Sequence, residues 1–436
     1  MTSALAAKPT GAAHLSGVSA NTAVWTERML TALEQGVKGG KWFSLMDKVY
    51  SRRNLAAAFD HVRAKRGAAG VDHVTVATFQ ARLDDNLDRL HDCLRDGTFR
   101  AQEILRVWIP KPGRREKRPL GIPTVRDRVV QTALRSVLEP IFERDFAEHS
   151  YGFRPGRGTK DALRRVDRLV KAGYTHAVDA DLKSYFDSIP HDRLLERVRA
   201  KVSDGRVLAL IEAFLEAGVL DGMAEWSPER GTPQGAVISP LLSNIYLDPL
   251  DHLMAERGFA MVRYADDFVI LCRSDAEARR ALAVVEEWTA SAGLTLHPDK
   301  TRIVDASRKG VGFDFLGYHF TQHYHWASRK SIRNLKAKLR VKTRRTNGTS
   351  LATIIANVNR TLRGWFAYYK HSHRTTFGPL DGWIRMRLRS ILRKRRRGKG
   401  RGRGRDHQRW PNAYFAAQGL FSTLAASAAA GQSSRR

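Results

Sequence analysis

In "SRRNLAAAFDHVRAK" (51–65) and "ATFQARLDDNLDRLHDCLRDG" (77–97) apolar residues recur at helical intervals, which predicts two helices, the second ended by Gly97. From Ile104 to Pro123, "ILRVWIPKPGRREKRPLGIP" instead predicts short strands around a basic loop punctuated by Pro and Gly. "YTHAVDADLKSYFDSIPHDRLLERVRAK" reads as a strand, a tight turn and a helix, with Asp181 near the strand end. "GTPQGAVISPLLSNIYLDPLDHLMAE" has a Gly/Pro-rich entry into a long apolar helix whose first N–H groups suit an anion. The strand-like "MVRYADDFVILC", the helix "SDAEARRALAVVEEWTASAG" and the short strands of "LTLHPDKTRIVD" and "GFDFLGYHF" follow. Such irregular alternation predicts an α+β fold with helices on one face of an antiparallel sheet. After about Tyr324 the pattern turns helical and very basic, which sets a boundary near 325.

Composition narrows the partner. A chain of 436 residues, 42% hydrophobic, is long enough for two or three domains with cores of their own. Its 75 Lys and Arg against 44 Asp and Glu leave a net charge of +31, which calls for a polyanionic partner. Nucleic acid fits better than a membrane, because no run approaches the roughly 18 apolar residues of a spanning helix. Cys93 and Cys272 lie outside any CxxC spacing, so neither a disulfide framework nor a zinc site is indicated, and a reducing cytoplasm suits the chain. The first two dozen residues lack the basic start and apolar core of a signal peptide and read as a disordered leader.

"MVRYADDFVILC" places Asp266 beside Asp267 in the most strand-like apolar stretch of the chain. Two adjacent carboxylates repel, and burying them unpaired costs about several kcal/mol. A divalent cation resolves this, since Mg²⁺ takes one or two protein carboxylates along with waters and substrate phosphates. A third carboxylate, for which Asp181 is the choice, would complete a two-ion site with ions roughly 3.5 to 4 Å apart. Alone, a Tyr-x-Asp-Asp string is an ordinary solvated turn. Here it has company in a fixed order: "IPKPGRREKRPLGIP", "ADLKSYFD", "GTPQG", "YADD", "PDKT" and "FLGY".

That ordered set resembles the fingers and palm of a reverse transcriptase, in particular those encoded by bacterial group II introns. The likeness starts near Asn54 with "GAAGVD" (67–72) and runs through "SYGFRPGRGTKDAL" (150–163) and the segments above. It continues into "IANVNRTLRGWFAYYKHS" and "LDGWIRMRLRSILRKR", which resemble the family's helical thumb, the maturase X domain. Gly364-Trp365 and Tyr368-Tyr369 distinguish this family from retron-type enzymes that share YADD. The resemblance implies a right-hand polymerase with an antiparallel palm sheet and an all-helical thumb. The expected plan is a disordered leader at 1–40, fingers and palm at 41–325, thumb at 326–397, and a basic flexible segment with a C-terminal tail at 398–436.

It also implies roles. Asp181, Asp266 and Asp267 would be the catalytic carboxylates, holding two Mg²⁺ ions (Mn²⁺ as possible substitute) with the Leu182 carbonyl as a further ligand. Asp179 would be structural, and Asp187 would cap or pair with a local basic group. Phe186 would stand against the sugar 2′ position and exclude ribonucleotides, its alternative being a core aromatic. Lys111 and Arg118 would grip the incoming triphosphate, their alternative being a solvated basic loop. Gln234 would pack near nucleotide and template, with Gly235 permitting close backbone approach. Lys300 would stand where polymerases often keep a general acid for the pyrophosphate. Phe315, Leu316 and Gly317 would be the primer grip.

From Arg385 to Arg405 there is no acid, and Arg385, Arg389, Arg393, Lys394, Arg395, Arg396 and Arg397 are expected to bind RNA. The aromatics Trp365, Phe366, Tyr368 and Tyr369 are read as core before base-stacking groups. The implied function is RNA-directed DNA polymerase coupled to splicing assistance and retromobility. A domesticated enzyme of repair or defence and a splicing cofactor with a vestigial site are the alternatives. The implied partners are structured intron RNA, an RNA template with DNA or RNA primer, dNTPs and target DNA, with no membrane and no organic cofactor. The chain is expected in the bacterial cytoplasm, nucleoid-associated when engaged on DNA. Lacking CxxC pairs and a region beyond the thumb, it is expected to lack second-strand cleavage.

Overall fold

The helix Val125–Glu143 is buried on nearly every face, its polar Asp127, Arg128 and Gln131 included, so it must be surrounded by other elements. Around it packs Arg52–Lys65, whose buried Leu55, Ala58, Phe59 and Val62 form one stripe and whose Asn54 amide donates to the Ala133 carbonyl at 3.1 Å. Ser51 caps this helix, its Oγ accepting from the Asn54 N–H at 3.2 Å. The computed structural model describes residues 13–15, 18–20, 24–37, 39–110, 117–221, 224–226, 230–402 and 404–433. The basic loop 111–116, with Lys111, and most of the leader lie outside the described residues.

The chain divides into two compact units, one taking residues through 169 and 178–303, the other 170–177 and 304 onward. In the first, a four-stranded sheet has the order Arg302–Asp305, His176–Asp181, Asp267–Cys272, Ala260–Tyr264. Its last two strands are antiparallel, with Tyr264 opposite Asp267. A second sheet joins Ile104–Pro110 to Lys117–Ile122 in antiparallel register and to Val219–Asp221 in parallel. The helix Ser239–Glu256 is buried from Leu241 through Leu247 and again at Leu250, Asp251 and Met254, as its apolar run predicts.

The helix expected over 77–97 is two, Val76–Ala81 and Leu83–Arg95. The Asn86 amide donates to the Phe79 carbonyl at 2.9 Å, taking the acceptor that a continuous helix would use for its own ladder.

In the second unit the strands Phe313–Phe315, Tyr318–Phe320 and His325–Ala327 form an antiparallel sheet, followed by the helices Arg329–Lys342, Leu351–Tyr369 and Phe377–Arg395. The compact units part near 304, because Tyr318 of this sheet packs on Tyr368 and Tyr369 of the helical part.

Two expectations of disorder are corrected. Within the supposed leader, Glu27–Gln35 is a helix capped by Thr26, and Trp25 is buried in the core. The supposed flexible tail contains the helices Arg405–Arg409, Asn412–Ala417 and Thr423–Ser433. Trp410 and Phe415 are buried with Leu388 and Ile391, so apolar burial holds the segment down. Buried Asp381 accepts the Thr423 and Leu424 N–H groups, each at 3.1 Å, and the Ser422 and Thr423 hydroxyls. Among the described residues no helix is long and apolar enough to cross a membrane.

Candidate active site

Asp266 sits in a two-residue turn between paired Tyr264 and Asp267, with Ala265 at φ +59°. A tight hairpin requires positive φ at its first loop position, where glycine is the usual residue and alanine costs about 1–2 kcal/mol. Buried contacts hold Ala265 there. Arg263, 0% exposed, donates from Nη1 to the Ala265 carbonyl at 2.9 Å and to Asn244 Oδ1 at 3.0 Å. Its Nε donates to both Asp251 carboxylate oxygens, at 2.8 and 2.9 Å. On the other side, Asn244 donates to the Gly152 carbonyl at 2.8 Å, and a Cβ on Gly152 would stand 2.1 Å from the Ala265 nitrogen. The loop carrying Gly152 is pinned by buried Arg154, paired with Glu143 at 2.8 Å.

Asp181 ends the strand next to Asp267–Cys272 in the sheet. Burial pushes the Asp266 carboxyl up from its ordinary value, and the negative charge of Asp181 pushes it the same way. Lys300 Nζ lies on the Asp181 carboxylate. The Asp181 carbonyl accepts from the His297 N–H at 2.7 Å, and the Lys183 N–H donates to Thr295 at 2.8 Å. This bridge spends the groups on either side of Leu182 and turns the Leu182 carbonyl away from its partner Leu296.

These donors fit a hard divalent cation: two carboxylates that repel each other, one of them raised by burial, and a nearby carbonyl. The structure brings together Asp181 and Asp266, and Asp267 opens the following strand beside them. Among the described residues no three His, Cys, Asp or Glu side chains are grouped to hold one ion by themselves. Asp179 accepts from Arg302 at 3.2 Å, in line with a structural role.

Phe186 lies in the short helix Tyr185–Ser188, which the buried Tyr185 hydroxyl anchors by donating to the Ser243 carbonyl at 2.7 Å. The Phe186 ring meets Phe153 edge-on at 6.4 Å. Its backbone carbonyl accepts from Thr232 at 2.7 Å, which ties the 231–235 segment to this helix. Gln234 accepts at its carbonyl from the Gly121 N–H at 2.6 Å. Gly235, at φ +114°, has room for no side chain, since a Cβ would stand 2.3 Å from the Gly121 oxygen. Gln234, Arg106, Gly121, Asp187 and Arg230 line one recess. Burial raises the Asp187 carboxyl, and the Arg106 charge opposes that rise. Arg118 is exposed on its strand, opposite Ile109.

In the second unit Leu316 and Gly317, at φ +47° and +82°, form the tight turn between Phe315 and Tyr318. The Tyr368 hydroxyl donates to the Leu316 carbonyl at 2.8 Å, and Ser331 Oγ to the Gly317 carbonyl at 3.0 Å. Tyr369 donates to Ser331 Oγ at 2.8 Å, so the paired tyrosines brace this turn. Trp365, Phe366 and Phe377 pack on one another, consistent with a core role.

The expected RNA-binding row is not one surface. Arg389 is buried, donating to the Trp410 carbonyl and to Asn412 Oδ1, each at 2.9 Å, which corrects its assignment. Arg393 pairs with Asp406 at 2.6 Å, across the turn that the acid-free run conceals. Lys394, Arg395, Arg396 and Arg397 are exposed, and Arg385 is half-buried. Arg263, Gly152 and Phe153 were not singled out from the sequence. An arginine inside an apolar strand was the available signal for the first, and the "SYGFRPGRG" segment for the others.

Residues 109–320 match the family model described as reverse transcriptase (RNA-dependent DNA polymerase), and 332–410 match the group II intron maturase-specific domain. Protein YkfC of Escherichia coli is 36% identical over 307 residues, 61% of this chain and 79% of that protein. Group II intron-encoded protein LtrA of Lactococcus lactis is 36% identical over 201 residues, 46% of this chain and 33% of LtrA. A solved chain titled as a partial Cas6-RT-Cas1–Cas2 complex aligns over 57% of this chain and 41% of its own length, at TM-score 0.38 and 25% identity.

Proposed function

The chain belongs to the family of group II intron-encoded reverse transcriptases and maturases, and on that footing we propose that Asp181 and Asp266, with the Leu182 carbonyl and Asp267 alongside, hold two Mg²⁺ ions. The enzyme is an RNA-directed DNA polymerase. When bound, the ions lower the cost of ionising a primer 3′-hydroxyl and offset the charge of the departing pyrophosphate; Mn²⁺ has the same ligand preferences. The observation that carries this reading is the placement of half-buried Asp266, at the turn before one strand, next to half-buried Asp181, at the end of the neighbouring strand.

The chain's own residues then divide the work. Lys300, whose Nζ lies on the Asp181 carboxylate, takes the role of general acid for the pyrophosphate oxygen. Arg118 and Lys111 take the triphosphate of the dNTP. Phe186, edged by Phe153, closes the sugar 2′ position, and Gln234 sits by nucleotide and template. In the second unit the Phe315–Leu316–Gly317 turn positions the primer backbone. Lys394, Arg395, Arg396 and Arg397, with Arg385, meet RNA phosphates, the substrates being an RNA template with its primer, structured intron RNA and target DNA. Splicing assistance and retromobility follow from that pair of functions.

The test is primer extension on an RNA template with dNTPs and Mg²⁺, comparing the natural chain with the Asp266→Ala, Asp267→Ala double variant, with RNA binding measured on both. Extension lost while binding persists supports the assignment. Undiminished extension by the double variant overturns it.

A further inference from the structure

The three-stranded sheet of the second unit has two unlike faces. Along Tyr318–Phe320 and His325–Ala327 the alternation turns Tyr318, Phe320 and Ala327 inward, where they are buried. Trp326, with Tyr324 just before the strand, is left on the opposite face. His373 joins them there, its ring 4.6 Å from Tyr324 and 5.9 Å from Trp326, and its N–H donates to the His325 carbonyl at 2.8 Å. Thr375 Oγ1 accepts from the Trp326 indole at 3.1 Å and lies 2.8 Å from His373 Nδ1. The rings are thus held in place, yet Tyr324 is 53% exposed.

Single exposed aromatics are ordinary, whereas an exposed ring held by two half-buried ones at the surface is not. Their surroundings indicate the occupant. Arg329 and Lys330, just past the Trp326 strand, and Arg374, which follows His373, are all exposed. The carboxylate on this face of the sheet, Asp314, accepts from His319 Nδ1 at 2.7 Å. Rigid rings beside cations are what an unpaired base and its phosphate need, and a duplex offers no free base face.

We propose that Tyr324, Trp326 and His373 form a platform on which unpaired bases of an RNA loop stack. The proposal rests on the reading of this chain as an RNA-handling polymerase and adds a contact with no part in catalysis.

The test uses the full chain and three RNAs: a stem-loop with 2-aminopurine in its unpaired loop, a blunt duplex, and a primer–template with a single-stranded overhang. A Tyr324→Ala, Trp326→Ala double variant is expected to lose about tenfold or more in stem-loop affinity, within the range of base–aromatic stacking. Its blunt-duplex affinity and its extension rate on saturating primer–template stay unchanged, which separates this outcome from failure of the polymerase reading. Tyr324→Phe keeps the ring and retains stem-loop affinity. Unchanged stem-loop affinity in the double variant overturns the platform. Equal losses on the blunt duplex, or a loss confined to the overhang substrate, overturn it in favour of phosphate contacts or of the template strand.

Discussion

Arg263 reaches past one residue of its own strand and donates to the carbonyl of Ala265 at 2.9 Å, both residues being buried. The guanidinium is thereby the link between the helix Ser239–Glu256, which supplies Asp251 and Asn244, and the turn that carries Asp266. A charge with 0% exposure is tolerable only because each of its nitrogens has a partner. Asp251→Ala strands that charge and is expected to cost about 3–5 kcal/mol, read as a lowered denaturation midpoint. A change below about 1 kcal/mol would remove the pair from the supports of the turn.

Gly152→Ala probes the same turn from the other side. The new methyl would stand 2.1 Å from the Ala265 nitrogen, a backbone atom that cannot yield without moving Asp266. Primer extension is expected to fall by about 10²-fold, the scale for a misplacement of 1 Å in a catalytic group. RNA affinity should hold, and extension at the natural rate would refute the close packing.

Phe186→Ala opens the space beside Phe153. The ratio of ribonucleotide to deoxyribonucleotide incorporation is expected to rise by about tenfold or more, as for loss of an apolar steric contact. An unchanged ratio would return Phe186 to the status of a packing residue.

Arg389 and Arg396, neighbours in composition, are expected to part in behaviour. Arg396→Ala should weaken RNA binding and reduce the slope of log affinity against log salt by about 1. Arg389→Ala should instead lower thermal stability, because the Trp410 carbonyl and Asn412 lose their donor. Equal salt slopes for both variants would contradict the burial of Arg389.

Asp127 carries a pH dependence of defined sign. Burial pushes its carboxyl above the ordinary 3.8, against the Gln102 N–H that it accepts at 2.9 Å. A raised folded value means that protonation stabilises the folded chain: the contribution is complete below pH 3.8 and is lost as pH rises through the folded value. Relative to Asp127→Asn, the natural chain should therefore gain stability on acidification through that window. A constant difference between the two in denaturation series would show that Asp127 is not shifted.

Local pattern was enough to place the elements that carry this chemistry. The apolar spacing of 51–65 marked a helix, and Asp266 between apolar strands marked a charged turn, because turn chemistry and periodicity act over a few residues. The continuous helix over 77–97 failed on a single side-chain amide, that of Asn86, competing for a carbonyl. Arg389, the docked tail and the boundary near 304 were beyond such reading. An arginine in a basic run looks the same whether it meets solvent or the Trp410 carbonyl, and only the packing of distant segments decides which. The amino-acid sequence by itself determined the family, the order of the elements and the identity of the paired carboxylates. Tertiary structure alone decided that Arg263 braces their turn, that Tyr368 and Tyr369 hold the Leu316–Gly317 turn, and which cations face outward, since each depends on burial contributed by residues remote in sequence.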